Sequence, residues 1–252
     1  MDGNPTRSRR EMIRLGGLAA LASPLSGLLG CDSKPKTSTY SGTDEQLLDE
    51  IQRATFEFFW NEASPNTGQV KDRASAEGKD SRAMSSIAAT GFGLVSLCIG
   101  DKREYRKSAQ ILERVKRTLR FLVDGTPNVL GFYYHFIHME TGKRWEKAEL
   151  SSIDTSLLLC GVLTARQYFA DQEIRDLGTK IYERVDWRWM LNGGTTVSMG
   201  WHPESGFLDA RWEKYCESFR LYCFNEYARK PVGSEDRGSI GRSAGIGIAC
   251  YS

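Results

Sequence analysis

An excess of either charge is missing from this chain: Lys plus Arg number 34 against 32 Asp plus Glu, a net charge of +2. That balance gives no electrostatic reason to expect an acidic partner, and nucleic-acid binding is not expected. Paired CxxC spacing is missing too. The six cysteines stand at 31, 98, 160, 216, 223 and 250. Cys98 and Cys160 fall inside apolar helical runs, where a buried thiol acts as a small hydrophobe, so neither a zinc site nor a disulfide framework is inferred. Histidine is scarce, with only His135, His138 and His202. His135 and His138 stand three apart, yet no carboxylate completes a recognisable ligand set, so no metal and no cofactor are expected.

What is present argues for a globular body: 252 residues, 40% apolar and 11% aromatic, enough for one large domain or two small ones. The first 31 residues differ from the rest. "TRSRREMIRLGGLAALASPLSGLLGC" joins a basic start to an apolar run too short to span a bilayer comfortably, the form of an export signal. Ser8-Arg9-Arg10 before Met12-Ile13 resembles a twin-arginine signal, and Leu28-Leu29-Gly30-Cys31 resembles a bacterial lipobox. The resemblance implies lipidation of Cys31 and anchoring on the periplasmic side of a bacterial membrane, with Asp32 pointing to the inner membrane. An ordinary N-terminal membrane anchor is the alternative. Residues 32–43 are polar and read as a tether.

The folded part is expected over 44–227. Leu47, Ile51, Ala54 and Phe58 recur at helical spacing from Asp44 to Asn61, with Thr43 and Asp44 supplying cap chemistry. Ser85-Ser86 opens "IAATGFGLVSLCIG", a helix apolar on nearly all sides that must be buried. An amphipathic helix follows over 104–123. "GFYYHFIHMETGKRW" reads as a short hairpin or a structured loop. A fourth helix runs from Ser152 to Ala170, and Asp171 caps a fifth that extends through "QEIRDLGTKIYERVDWRWML". "NGGTTVSMGWHPESGFLDARW" reads as a second hairpin or loop insertion before a helix over 212–224. Buried helices alternating with amphipathic ones, with long aromatic loops between pairs, suggest an all-α architecture: an α/α toroid whose loops build a cleft at one end of the inner ring. A conventional helical bundle accounts for the helices but not for the loops. Residues 228–252 are rich in Gly, Ser and charge without a sustained apolar period, and are expected to be a disordered tail.

Four loop segments combine acids with aromatics: "VKDR", "GFYYHFIHMETG", "ELSSIDT" and "MGWHPESGF...RWEKYCE". Carbohydrate sites need that mixture, because rings cover the apolar faces of sugars while carboxylates and Arg bind hydroxyls. Two carboxyl groups flanking a glycosidic bond can then supply acid and base. Each residue has a plainer reading. Asp154 could cap its helix, although Ser151 and Ser152 are already competent caps. Glu217 could be a solvated residue on a helix surface. Trp187 and Trp189 read as core and rim packing.

"FEFFWNEASPNTGQVKDR", "SSIAATGFGLVSLCIG", "GFYYHFIHMETGKR", "LSSIDTSLLLCGVLTARQYF", "IYERVDWRWML" and "MGWHPESGFLDARWEKYCES" together resemble the glycoamylase-like family. That family includes bacterial endo-β-1,2-glucanases and a domain of cyclic β-1,2-glucan synthases. The resemblance runs from Asp44 to Glu217 and implies an (α/α)6 toroid that acts on β-1,2-linked glucan. It places Asp154 and Glu217 as the catalytic acids facing the cleft. It assigns Asp72, Arg73, Tyr133, Tyr134, His135, Trp201 and Glu204 to the sugar-binding walls. The glucanases carry Glu where Asp154 stands and an additional Asp where this chain has Ser151, a departure that changes reach and acidity. Beyond "YCE" the family continues with several more helices. The chain is therefore expected to lack roughly the second half of the toroid, as a truncated product would; an inactive fragment or a glucan-binding lipoprotein without turnover is the alternative function.

Overall fold

The computed structural model describes residues 40–76 and 80–213. Chain contacts divide the protein between Gly42 and Thr43, and the second of the two units carries nearly all of the described residues. Of the expected helix over 212–224 only Trp212 and Glu213 are described, and neither is helical; the tail over 228–252, the export signal, Cys31 and Glu217 lie outside the described residues.

Helix α1 (Asp44–Asn61) begins in a capping box: the Thr43 hydroxyl accepts from the Gln46 amide, and the Gln46 side chain accepts from the Thr43 amide. Helix α2 (Ile87–Lys102) is capped by Ser86 and buries Ile87, Leu94, Leu97 and Cys98. Each fully buried aliphatic side chain of this kind contributes about 1.5–3 kcal/mol. Helix α3 (Ser108–Arg120) starts four residues later than its apolar period suggests, because Glu104 takes a left-handed φ of 56° and breaks the run. Its dry face is Ile111, Val115 and Leu119, and it ends in a π-helical turn, Phe121–Gly125. Helix α4 (Ser152–Tyr168) is buried over most of its length.

The long fifth helix of the sequence reading is in fact two. Helix α5 (Gln172–Glu183), capped by Asp171, stops, and helix α6 (Trp187–Leu191) starts afresh from Asp186. The Asp186 carboxylate accepts from the amides of Arg188 and Trp189, so it competes with helical pairing at that point.

The helices form two layers. The buried α2 and α4 pack along one another, while the amphipathic α3 and α5 pack outside them and against each other. Lys116 bridges to Asp171 at 2.7 Å and Arg120 to Glu173 at 2.6 Å, tying the outer pair. The inner pair touches backbone to backbone: a Cβ on Gly161 would sit 2.1 Å from the Gly91 carbonyl oxygen, and one on Gly91 would sit 2.6 Å from that of Leu157. Glycine is required there by the close approach of the helices.

On the far side of α2, α1 leaves an open apolar groove of about 900 Å3, lined by Leu48, Ile51, Phe59, Phe92, Val95 and Ile99 among others. None of the predicted site residues among the described ones borders it. Among the described residues no helix is long and apolar enough to cross a membrane.

Short strands form the loop layer. β1 (Met84–Ser86) pairs antiparallel with β4 (Phe136–His138), and β2 (Asn128–Val129) with β3 (Phe132–Tyr133). β5 (Leu150–Ser151), β6 (Gly200–His202) and β7 (Gly206–Phe207) make a three-stranded antiparallel sheet. The second hairpin of the sequence reading is thus the β6–β7 turn. In the first aromatic loop, Ile137 bridges to Arg144 around Thr141-Gly142, but β4 takes its main partner from β1, far upstream.

Candidate functional site

Both inner helices begin in this strand layer. The Ile87 amide, first in α2, donates to the His135 carbonyl, and the Ser152 amide, first in α4, donates to the Met199 carbonyl. A bridge from Tyr134 to Leu150 joins the aromatic loop to β5, and one from Lys71 to Ser85 brings in the segment carrying Asp72. The loops holding the predicted site residues are therefore laced to the same two helix openings.

Asp154 sits at the third position of α4 and is 8% exposed. It does not cap the helix. The cap is Ser151, whose hydroxyl accepts from the Asp154 amide at 3.2 Å and in turn donates to Asp154 Oδ2. Ser152 is occupied differently: its hydroxyl donates to the Ser198 carbonyl at 2.8 Å and accepts from the Trp212 indole at 3.0 Å. The carboxyl of Asp154 is thus surplus to the needs of the helix. Burial pushes it above the ordinary Asp value; His135 and the Ser151 hydroxyl pull the other way, and Glu149 adds to the rise.

His135 lies between two acids. Its Nδ1 is 2.9 Å from Glu149 Oε1, and its Nε2 is 3.6 Å from Asp154 Oδ1. Burial works against the imidazolium, but the Glu149 hydrogen bond and the nearby charges of Asp154, Glu149 and Asp72 outweigh it and raise the His135 value. The same hydrogen bond holds Glu149 below the ordinary Glu range. Asp72 is paired with the exposed Arg73 guanidinium at 2.5 Å.

A second group surrounds Arg144. Its guanidinium lies 5.0 Å from the centre of the Tyr134 ring, donates to Glu204 Oε2 at 3.0 Å and stands 3.3 Å from His202 Nδ1. Arg144 Nε donates to the Ala148 carbonyl at 2.5 Å. Tyr134 and Glu204 are thereby fixed by one cation. Trp201, on β6, packs 5.6 Å from Trp189, which also meets Phe207 at 5.0 Å. Trp187 is in the core against Phe132.

Tyr133 stands apart. Its ring is fully buried and its hydroxyl donates to the Leu122 carbonyl at 3.0 Å, so it belongs to the core and offers no face to a sugar. Strand alternation explains the difference from Tyr134, since neighbours on an extended chain point to opposite sides. The two histidines three apart also diverge: His138 Nδ1 accepts from the Glu140 amide and its ring lies beside Trp145. Among the described residues no three His, Cys, Asp or Glu side chains are grouped as a metal would need. Glu149 was visible in the sequence as an acid of "ELSSIDT", but its grip on His135 was not; Arg144 went unnoticed although it stands in "METGKRW", within an aromatic segment.

Paired inner and outer helices, with carboxylates and aromatic rings gathered where the inner helices open, define an α/α arrangement with one acid- and ring-lined end. No family model matches the chain. Over 177 residues the chain is 30% identical to an exo β-1,2-glucooligosaccharide sophorohydrolase (non-reducing end) of Parabacteroides distasonis, covering 66% of this chain and 24% of the relative. The crystal structure of a β-1,2-glucanase from the same organism matches with a TM-score of 0.67 at 28% identity, covering 76% of this chain and 29% of that one. An endo-β-1,2-glucanase from Chitinophaga pinensis, in complex with sophorotriose and glucose, shares the fold with a TM-score of 0.67 at 22% identity, over 75% of this chain and 48% of that one. The chain is glycoamylase-like, and its described helices are part of an α/α toroid. It spans about a quarter of the length of the curated relative.

Proposed function

We propose that this domain acts on β-1,2-linked glucan as a glycoside hydrolase, with Asp154 as one of its two working acids and Glu217 as the other. The observation that carries the reading is the buried Asp154 carboxyl, which the helix does not use because Ser151 already caps it. A carboxyl raised by burial is suited to keep its proton until a glycosidic oxygen takes it. In hydrolysis one acid protonates that oxygen as the bond to the anomeric carbon breaks, and the other positions or activates the water that attacks the carbon. Tyr134, Trp201, Glu204, Asp72 and Arg73 line the sugar path, with Arg144 holding Tyr134 and Glu204 in place. The names of the relatives, both concerned with β-1,2-glucans, support the choice of linkage.

Incubation with linear β-1,2-glucan is expected to release short oligosaccharides, at least 100-fold faster, on the order expected for acid–base catalysis, than the Asp154→Asn variant. Equal release from the two proteins overturns the assignment of Asp154, and glucan binding without release marks a binding protein. The same proposal places the domain outside the cytoplasm, lipid-anchored through Cys31 on the periplasmic face. Fractionation of cells expressing the full chain should find it in the membrane, and Cys31→Ala should release it; retention of that variant in the membrane argues for an uncleaved N-terminal anchor.

A further inference from the structure

We propose that His135 is a positioning residue for Asp154: it holds the Asp154 carboxyl in place through Nε2 while Glu149 fixes the imidazole from behind through Nδ1. The inference rests on the reading of Asp154 as a site acid and adds to it the device that sets that acid's geometry.

His135 is fixed at every point where it can be fixed. Its amide donates to the Glu149 carbonyl at 2.8 Å, and its carbonyl accepts from Ile87 at the opening of α2. Its ring stacks on Phe136 with centroids 3.8 Å apart and planes 18° from parallel. Glu149 Oε1 then sets the proton, because a carboxylate at 2.9 Å accepts and Nδ1 must donate. Nε2 is left facing Asp154 Oδ1 across 3.6 Å, an ion-pair separation longer than a hydrogen bond.

Asp154 is constrained from its other side by the Ser151 hydroxyl on Oδ2. Nδ1 keeps its proton in either state of the ring, so only Nε2 gains or loses one, and it does so against Asp154. When Nε2 carries a proton the pair is imidazolium and carboxylate. When it does not, a protonated Asp154 is the matching state. One proton is thereby held between the two groups. The opposing charges around the imidazole are Glu149 from the segment before β5, Asp154 from α4 and Asp72 from the segment before β1; the charges of His202 and Arg144 bear on Glu149 in turn. A histidine held only for packing would not need carboxylates on both nitrogens.

The test is a histidine titration by nuclear magnetic resonance on the full chain labelled with nitrogen-15 histidine, which carries only three such residues. His135 is expected to keep Nδ1 protonated and to titrate above the ordinary imidazole range. Glu149→Gln and Asp154→Asn should each lower its midpoint by about one pH unit, the shift a close carboxylate produces. Both variants are isosteric: Asp154→Asn tests the contact at Nε2, and Glu149→Gln the one at Nδ1. A midpoint that Asp154→Asn leaves unmoved, or a neutral ring protonated at Nε2, overturns the proposal.

These readings need no glucan, so they separate this inference from the proposed activity. Linkage of His135 to Asp154 with no loss of turnover in Asp154→Asn keeps the pair and discards the catalytic role. Where turnover is measured, Glu149→Gln should lower kcat more than it raises KM and should move the pH profile, which a packing defect would not do.

Discussion

At the scale of the residue, the informative contrast is between neighbours with different fates. Tyr133 and Tyr134 look alike in sequence, yet Tyr133 is in the core and Tyr134 lies under Arg144. Tyr133→Phe should cost about 0.5–1.5 kcal/mol of stability and leave glucan binding unchanged. The low end is favoured because Leu122's carbonyl also accepts from Arg184 Nη2 at 2.8 Å and stays satisfied. Tyr134→Ala should do the reverse, lowering affinity more than stability; calorimetric titration with a sophoro-oligosaccharide and urea unfolding separate the two. Asp154 gives a pH signature of its own. A carboxyl raised in the folded state contributes stability that is full below the unfolded value and is lost as pH rises through the folded one. Asp154→Asn lacks that loss, so its stability relative to the unmodified protein should increase as pH rises above the ordinary Asp value. A pH-independent difference in urea midpoints would contradict this. That Asp154 was legible in the sequence follows from the two serines beside it, which make a third cap needless. The hold of Glu149 on His135 was not, because it depends on a bridge between Tyr134 and Leu150 that no local pattern encodes.

At the scale of the element, local signals served well where they were sufficient to stop or start a helix. α1 runs from Asp44 to Asn61 as its period and Thr43 require. The break between α5 and α6 was missed because the apolar spacing continues across it, while the interruption comes from a single carboxylate at Asp186. The strands were half legible: the turn at β6–β7 has local chemistry, but β1 and β4 meet from about fifty residues apart, a register set by packing. The contact of α2 with α4 gives the strongest prediction at this scale. Gly161→Ala forces a Cβ to within 2.1 Å of a backbone oxygen that cannot turn aside. It should destabilise the domain by about 1–3 kcal/mol. For a domain of this size that lowers Tm by several degrees, about 2–4 °C per kcal/mol, measurable by calorimetry.

At the scale of the whole molecule, the two layers carry different burdens. Ion pairs between α3 and α5 are partly exposed and contribute little each, so the outer layer depends on its dry faces. The groove between α1 and α2 exposes Leu48 to 65%, Ile51 to 53% and Phe92 to 48%, a patch of the kind that promotes self-association. Replacing Leu48 with Gln and Phe92 with Ser together should reduce binding of a hydrophobic dye and raise the concentration at which light scattering begins, while Tm changes little. A fall of several degrees in Tm would mean that these side chains support the fold. The backbone contact between Gly91 and Gly161 also has a meaning in time. The ribosome delivers Gly161 roughly seventy residues after Gly91, on the order of several seconds at the usual pace of synthesis. For most of that interval the most apolar of the described helices has been made and its partner has not, so the glycine face of α2 must wait for α4 before it is covered.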